Sequence, residues 1–123
     1  MWRILFIAFL VAHGLVHLAN WLMPKPKGQK APFDVSHSWL LGDQRAIAIA
    51  VAVAAAALLI VGGLGLWAHA GWWRSASVIG LALSFGLMVL YFNPWYLFIE
   101  GVNAALIVGL LWLTWPSKSM VGA

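Results

Sequence analysis

The stretch AIAIAVAVAAAALLIVGGLGLW, residues 46–67, runs for 22 residues without one charged side chain. As a helix it would be about 33 Å long, enough to cross a hydrocarbon core of about 30 Å. Three further apolar runs have similar length. The first, residues 2–23, is stopped by Pro24-Lys25-Pro26-Lys27-Gly28. The third is residues 75–92. The fourth, residues 95–115, is stopped by Pro116-Ser117-Lys118. None shows the alternation of a barrel strand. An open sheet would leave unpaired backbone in lipid, so helices are the only spanning form.

Composition agrees. The chain has 123 residues, 64% hydrophobic and 8% charged. Soluble domains carry roughly a quarter charged residues, and a domain this small cannot hide so much apolar surface. A soluble globular fold and a disordered chain are both excluded. There is no cysteine, hence no disulfide framework and no thiolate chemistry. The net charge of +4 lies between the apolar runs, where it meets lipid headgroups rather than nucleic acid. The first run has the basic residue of a signal peptide, Arg3. Its apolar stretch is too long, it contains two histidines, and no small-x-small cleavage site follows, so it is read as a retained helix.

The expected fold is therefore all-α: a polytopic membrane protein, one domain over residues 1–123, with four transmembrane helices. Short connections force antiparallel neighbours, which predicts an up-down four-helix bundle with helices one and four adjacent. Asn93 is placed to cap helix four and Pro94 to open it. The one long connection, residues 24–45, begins basic and proline-rich with Lys25, Lys27 and Lys30. Its second half reads as a short interfacial helix or turn, with Asp43 capping helix two.

An even span count puts both termini on one side, side A. Trp2, Trp67, Trp72, Trp73, Trp112 and Trp115 then fall at that interface, and Trp21, Trp39 and Trp95 at the other, side B, as an aromatic belt predicts. Arg3, Arg74, Lys118 and the amino terminus balance Lys25, Lys27, Lys30 and Arg45, so charge bias gives no orientation. Small residues recur at i, i+4, i+8 on three helices: Ala48, Ala52, Ala56; Ala76, Gly80, Ser84; Gly101, Ala105, Gly109. They predict buried faces where helix backbones approach closely.

The intramembrane polar residues are the candidates for chemistry. His13, His17 and Asn20 share one face of helix one; Glu100 and Asn103 share one face of helix four. A membrane carboxyl costs up to about 3 kcal/mol at mid-helix and needs a partner. Counted from the side-B ends, His17 lies about 9 Å deep, His13 about 15 Å, Glu100 about 8 Å and Asn103 about 12 Å. Depth therefore pairs Glu100 with His17, with Asn103 between the histidines. Tyr91 and Tyr96 border that level, and His37 and Asp34 lie above it. The plainest reading is a satisfied polar network that locks helix one to helix four. His13, His17 and Glu100 also form the minimum ligand set for a metal, although a di-metal site would need more carboxylates. Bis-histidine haem ligation is disfavoured because both histidines share a helix. Acid–base chemistry on a lipid-like substrate is the remaining alternative. His69, beside Trp67, reads as an interfacial residue. No cofactor is firmly expected.

Ala12-His13-Gly14-Leu15-Val16-His17-Leu18, Ser38-Trp39-Leu40-Leu41-Gly42, the pair Trp72-Trp73 and Asn93-Pro94-Trp95 together resemble small four-helix bacterial membrane proteins of unassigned function. The resemblance implies a stand-alone protein of the bacterial cytoplasmic membrane and carries no activity or cofactor. Sterol-isomerase-like membrane bundles use buried His and Glu, but the helices here hold too few acidic residues to match. Two function classes remain: a structural or accessory subunit packing in a membrane complex or with itself, and a binder of, or enzyme on, a lipophilic molecule or metal at the His/Glu cluster.

Overall fold

The computed structural model describes residues 1–22, 37–92 and 94–122. It is all-helical: α1 (Trp2–Leu22), α2 (Arg45–Trp67), α3 (Trp73–Leu90), a 3-10 turn (Pro94–Tyr96), α4 (Leu97–Leu111) and the short α5 (Lys118–Val121). The first three helices are long and apolar enough to cross a membrane. With 15 residues, α4 is about 22 Å long and shorter than the predicted fourth run. Two local events shorten it. Pro94 opens the 3-10 turn rather than the helix itself. At the far end the N–H groups of Leu113 and Trp115 turn back onto the Val108 and Gly109 carbonyls, and Thr114 takes a left-handed φ of 49°. Asn93 lies outside the described residues, as do Asp34 and the basic start of the long connection.

α2 is the spine. It packs against α1 on one side and α3 on the other, and α4 packs on α3. The stripe Ala48, Ala52, Ala56 is buried as expected, and Ala55 beside it is buried too. A Cβ added to Gly14 would lie 2.9 Å from the Ala56 carbonyl oxygen, and one on Gly80 would lie 3.2 Å from that of Ala55. Backbone thus meets backbone on both sides of α2, the close approach that small residues permit. Gly14 of α1 faces Ala56 and Ile60, and Ile7 and Val11 face Gly63.

The stripe on α4 behaves differently. Gly101 and Ala105 are exposed, and nothing would touch a Cβ on Gly101. The inward residues are Glu100, Asn103 and Leu110. At about 100° per residue Ala105 stands about 200° from Asn103, so the two sets cannot face the same way. Gly109 is covered only because Trp115 folds over it.

Two apolar clusters fill the interior. Phe6, Leu10, Leu59, Leu66, Trp73, Leu81, Leu110 and Val121 form one. Trp21, Ala48, Ala52, Leu87, Met88, Tyr91 and Tyr96 form the other. Two tryptophans expected at the interfaces are therefore core residues: Trp21 is 0% exposed and Trp73 1%. Trp73 packs edge-on against Phe6, and Trp21 against Tyr91. Trp2, Trp39, Trp67, Trp72, Trp112 and Trp115 remain exposed.

Each end of the molecule is tied by polar contacts. At one end the His69 Nδ1–H donates to the Gly122 carbonyl at 2.8 Å, and Arg3 donates to the other ring nitrogen. Residues close to both termini thus meet on His69. Arg74 donates to the Pro116 carbonyl nearby. At the other end, residues 38–42 form a tight turn rather than a helix, closed by reciprocal bonds between Ser38 and Gly42. Ser38 Oγ donates to the Leu90 carbonyl at 2.6 Å and Trp39 Nε1 to the Val89 carbonyl at 2.7 Å. A helix leaves its last carbonyls without partners, and this turn supplies them for α3. Asp43 does not cap α2. Gln44 holds that position without a side-chain bond, and Asp43 instead pairs with the exposed His37 at 2.8 Å.

Candidate functional site

Between the two apolar clusters lies a buried polar hub centred on Ser84 of α3. His17 reaches it from α1, with Nε2 2.7 Å from Ser84 Oγ. Asn103 reaches it from α4, with Nδ2 2.8 Å away. The other His17 nitrogen, Nδ1, lies 2.8 Å from the His13 carbonyl, one turn back. A carbonyl only accepts, so Nδ1 carries the proton and Nε2 is an acceptor. Ser84 therefore donates to His17 and accepts from Asn103, and its hydroxyl joins three helices. All three side chains are essentially buried.

Serine and histidine here have the hydrogen bond of a nucleophile–base pair. Ser84 has no exposed surface, however, and no substrate reaches it without opening the bundle. Chemically the hub is a lock. Sequence reasoning placed Ser84 in a packing stripe and missed its role. The signal was present: it is the one polar side chain between residues 78 and 90.

The expected pairing of Glu100 with His17 is not formed. Both His17 nitrogens are engaged elsewhere, and both Glu100 carboxyl oxygens are buried with no hydrogen-bond partner among the described residues. Depth matching says nothing of direction around the helix. The backbones of α1 and α4 hardly approach each other, and α3 supplies the group between them. Asn103, expected at a level between the two histidines, has Ser84 as its partner. His13 stacks on Phe9 and tilts against His17 at a centroid distance of 5.1 Å. Its Nε2 is buried and unpartnered, as is Asn103 Oδ1. Among the described residues no three His, Asp or Glu side chains come together as a metal-binding group, so His13, His17 and Glu100 are not assembled as one.

Asn20 does join α1 to the start of α4, donating from Nδ2 to the Tyr96 hydroxyl at 2.8 Å. Tyr91 packs against the same Trp21 as Tyr96 does and donates to the Gln44 carbonyl. His37 is far out on the exposed turn.

Where α1 and α4 diverge, a groove runs between them. Three depressions of about 280, 230 and 210 Å³ make it up. The first two share Phe9 and Val102, and the last two share Val16, His17, Met88 and Ile99. Each is below the roughly 300–1,000 Å³ of an ordinary small-molecule pocket, but in line they form one channel. Among the described residues no Lys, Arg, Asp or Glu side chain lines it.

No protein-family model matches the chain, and neither a curated protein nor a solved structure matches it.

Proposed function

We propose that the chain is an integral membrane protein with four membrane segments in an up-down antiparallel bundle, and that it serves as an accessory subunit packing within a membrane complex or with copies of itself. The fourth segment is the 3-10 turn, α4 and the residues after it, together long enough to cross. The opposing register of α1 on α2 and the meeting of Arg3 and Gly122 on His69 support an even number of crossings with both ends on one side. Resemblance favours a bacterial cytoplasmic membrane.

The observation that carries the accessory reading is the hub. Three polar side chains suited to chemistry are spent on one another: Ser84 and Asn103 have no exposed surface, both His17 nitrogens are bonded, and the three hold three helices together. What the molecule offers outward is apolar surface and, on α4, the small residues Gly101, Ala104 and Ala105, which admit a neighbouring helix.

The test is the state of the full chain extracted from its native membrane in mild detergent at native expression level. A stoichiometric complex, either with a partner or with itself, is expected by native mass spectrometry. A lone monomer at all extraction conditions overturns the reading. Reporter fusions at the two ends should give the same side; opposite sides would refute the even count.

A further inference from the structure

We infer that the groove between α1 and α4 holds one long-chain neutral lipid with a hydroxyl or carbonyl head. The inference rests on the membrane placement above but not on the accessory role. The groove is chemically graded. At one end stand Asn20 and Tyr96, half-buried and buried respectively. Their mutual bond uses the Asn20 amide N–H and one lone pair of the Tyr96 oxygen. The phenolic hydrogen and the Asn20 carbonyl oxygen are uncommitted among the described residues, leaving one donor beside one acceptor. A hydroxyl matches both and a carbonyl matches the donor. From there the lining becomes apolar, through Ile99 and Val102 to Phe6, and Trp115 stands at the far end.

Charge and length narrow the occupant. Among the described residues no Lys, Arg, Asp or Glu lines the channel, so none of them stabilises a phosphate head there. From Asn20 to Leu5 the groove follows about 22 Å of α1. Half of a hydrocarbon core is about 15 Å. A chain filling the groove therefore lies extended past the midplane, so the occupant is long-chained. His17, in the floor, does not compete for the head, since both its nitrogens are already bonded.

Tryptophans 2, 21 and 115 line the groove and report its occupancy. The full chain in mild detergent is titrated with stearyl alcohol carrying a nitroxide near the chain end, and separately with phosphatidylglycerol carrying the same label. Saturable quenching by the alcohol is expected, with only non-saturating quenching by the phospholipid. Tyr96→Phe keeps the ring and removes the donor, and should weaken the alcohol about tenfold. Val102→Phe fills the junction of two depressions and should abolish saturation. Ala104→Phe, exposed and about 160° around α4 from Val102, should leave the affinity unchanged. Equal, non-saturating quenching by both lipids overturns the inference, and so does unaltered affinity in both Tyr96→Phe and Val102→Phe. Should Val102→Phe fail to fold, the Tyr96→Phe result decides. The copy number in the same preparation reports separately on the accessory role, so either reading can fail alone.

Discussion

α2 and α4 carry the same motif, a small residue every fourth position, and put it to opposite uses. On α2, Ala48, Ala52 and Ala56 lie at the centre of the molecule, pressed by α1 and α3 until glycines on both neighbours meet its backbone. On α4, Gly101 and Ala105 look outward and the buried face carries Glu100 and Asn103. In lipid a small residue permits close approach but does not demand it, because lipid tails are as apolar as the neighbouring helix. A buried polar group is different. It costs free energy in lipid and must turn inward. Where a helix carries both signals on opposite faces, the polar one decides which face is buried.

The difference is sharpest where a side chain is added. Gly14→Leu would drive a branched side chain into the Ala56 carbonyl and Ile60, and Gly80→Leu into Leu59 and the Ala55 carbonyl. Rigid backbone cannot yield as a flexible side chain can. Each should cost about 1–3 kcal/mol or prevent assembly altogether, read as the thermal midpoint in detergent. Unchanged stability in both would show that α2 is not the spine.

Next comes the hub. Ser84→Ala removes the donor to His17 and the acceptor for Asn103, stranding two buried polar groups. A loss of about 1–2 kcal/mol is expected, moderated in a membrane where unfolded helices also find partners. His17→Leu should cost a similar amount. The double change should cost clearly less than the sum, since the two share one bond. Additive losses would mean that the bond between Ser84 and His17 is not formed in solution.

Much of this was open to reading in the sequence, and the errors have physical causes. Apolar run length located α1, α2 and α3 to within a few residues, because crossing a hydrocarbon core sets a minimum length. It overestimated α4, where a proline opens a 3-10 turn and the last carbonyls are closed by a left-handed turn. Belt logic gave Trp21 and Trp73 a depth but not their burial, because an indole near a helix end also serves as a large core filler. Glu100 and Asn103 were rightly turned inward. The same 100° arithmetic that did so should have turned Ala105 outward. The link between His17 and Asn103 through Ser84 could not be read from depth, which says nothing of which helix lies between two others.

Glu100 gives a smaller effect, with a sign that separates the two accounts of it. Paired with His17, it would be missed on removal. Buried without a partner among the described residues, it contributes desolvation cost and no bond. Glu100→Leu should therefore leave the thermal midpoint unchanged or raise it, because replacing an unsatisfied polar group by an apolar one of similar size is neutral or favourable. Combined with His17→Leu, the effects should add within about 0.5 kcal/mol. A loss above about 1 kcal/mol for Glu100→Leu alone would reveal a partner for the carboxyl.

The smallest expected effect is on the outward face of α4, and it tests the contrast with α2 most directly. Ala105→Leu adds the same atoms as Gly80→Leu, less one methyl-sized group, at the same point in an i, i+4 stripe. Residue 105 is exposed, however, and a leucine there meets only lipid or detergent. Leucine is also as good a helix former as most, so the helix itself loses little. The thermal midpoint of the isolated chain should stay within about 0.5 kcal/mol of the parent. Gly101→Leu should behave alike, or gain slightly through the lost flexibility of glycine, since nothing would touch even its Cβ. If the chain packs against a second copy or a partner through this face, both variants lower the assembled fraction while the monomer melts unchanged. A midpoint lowered as far as in Gly80→Leu would place the α4 stripe inside the bundle, make it the twin of the α2 stripe, and remove the reason for Glu100 and Asn103 to lie where they do.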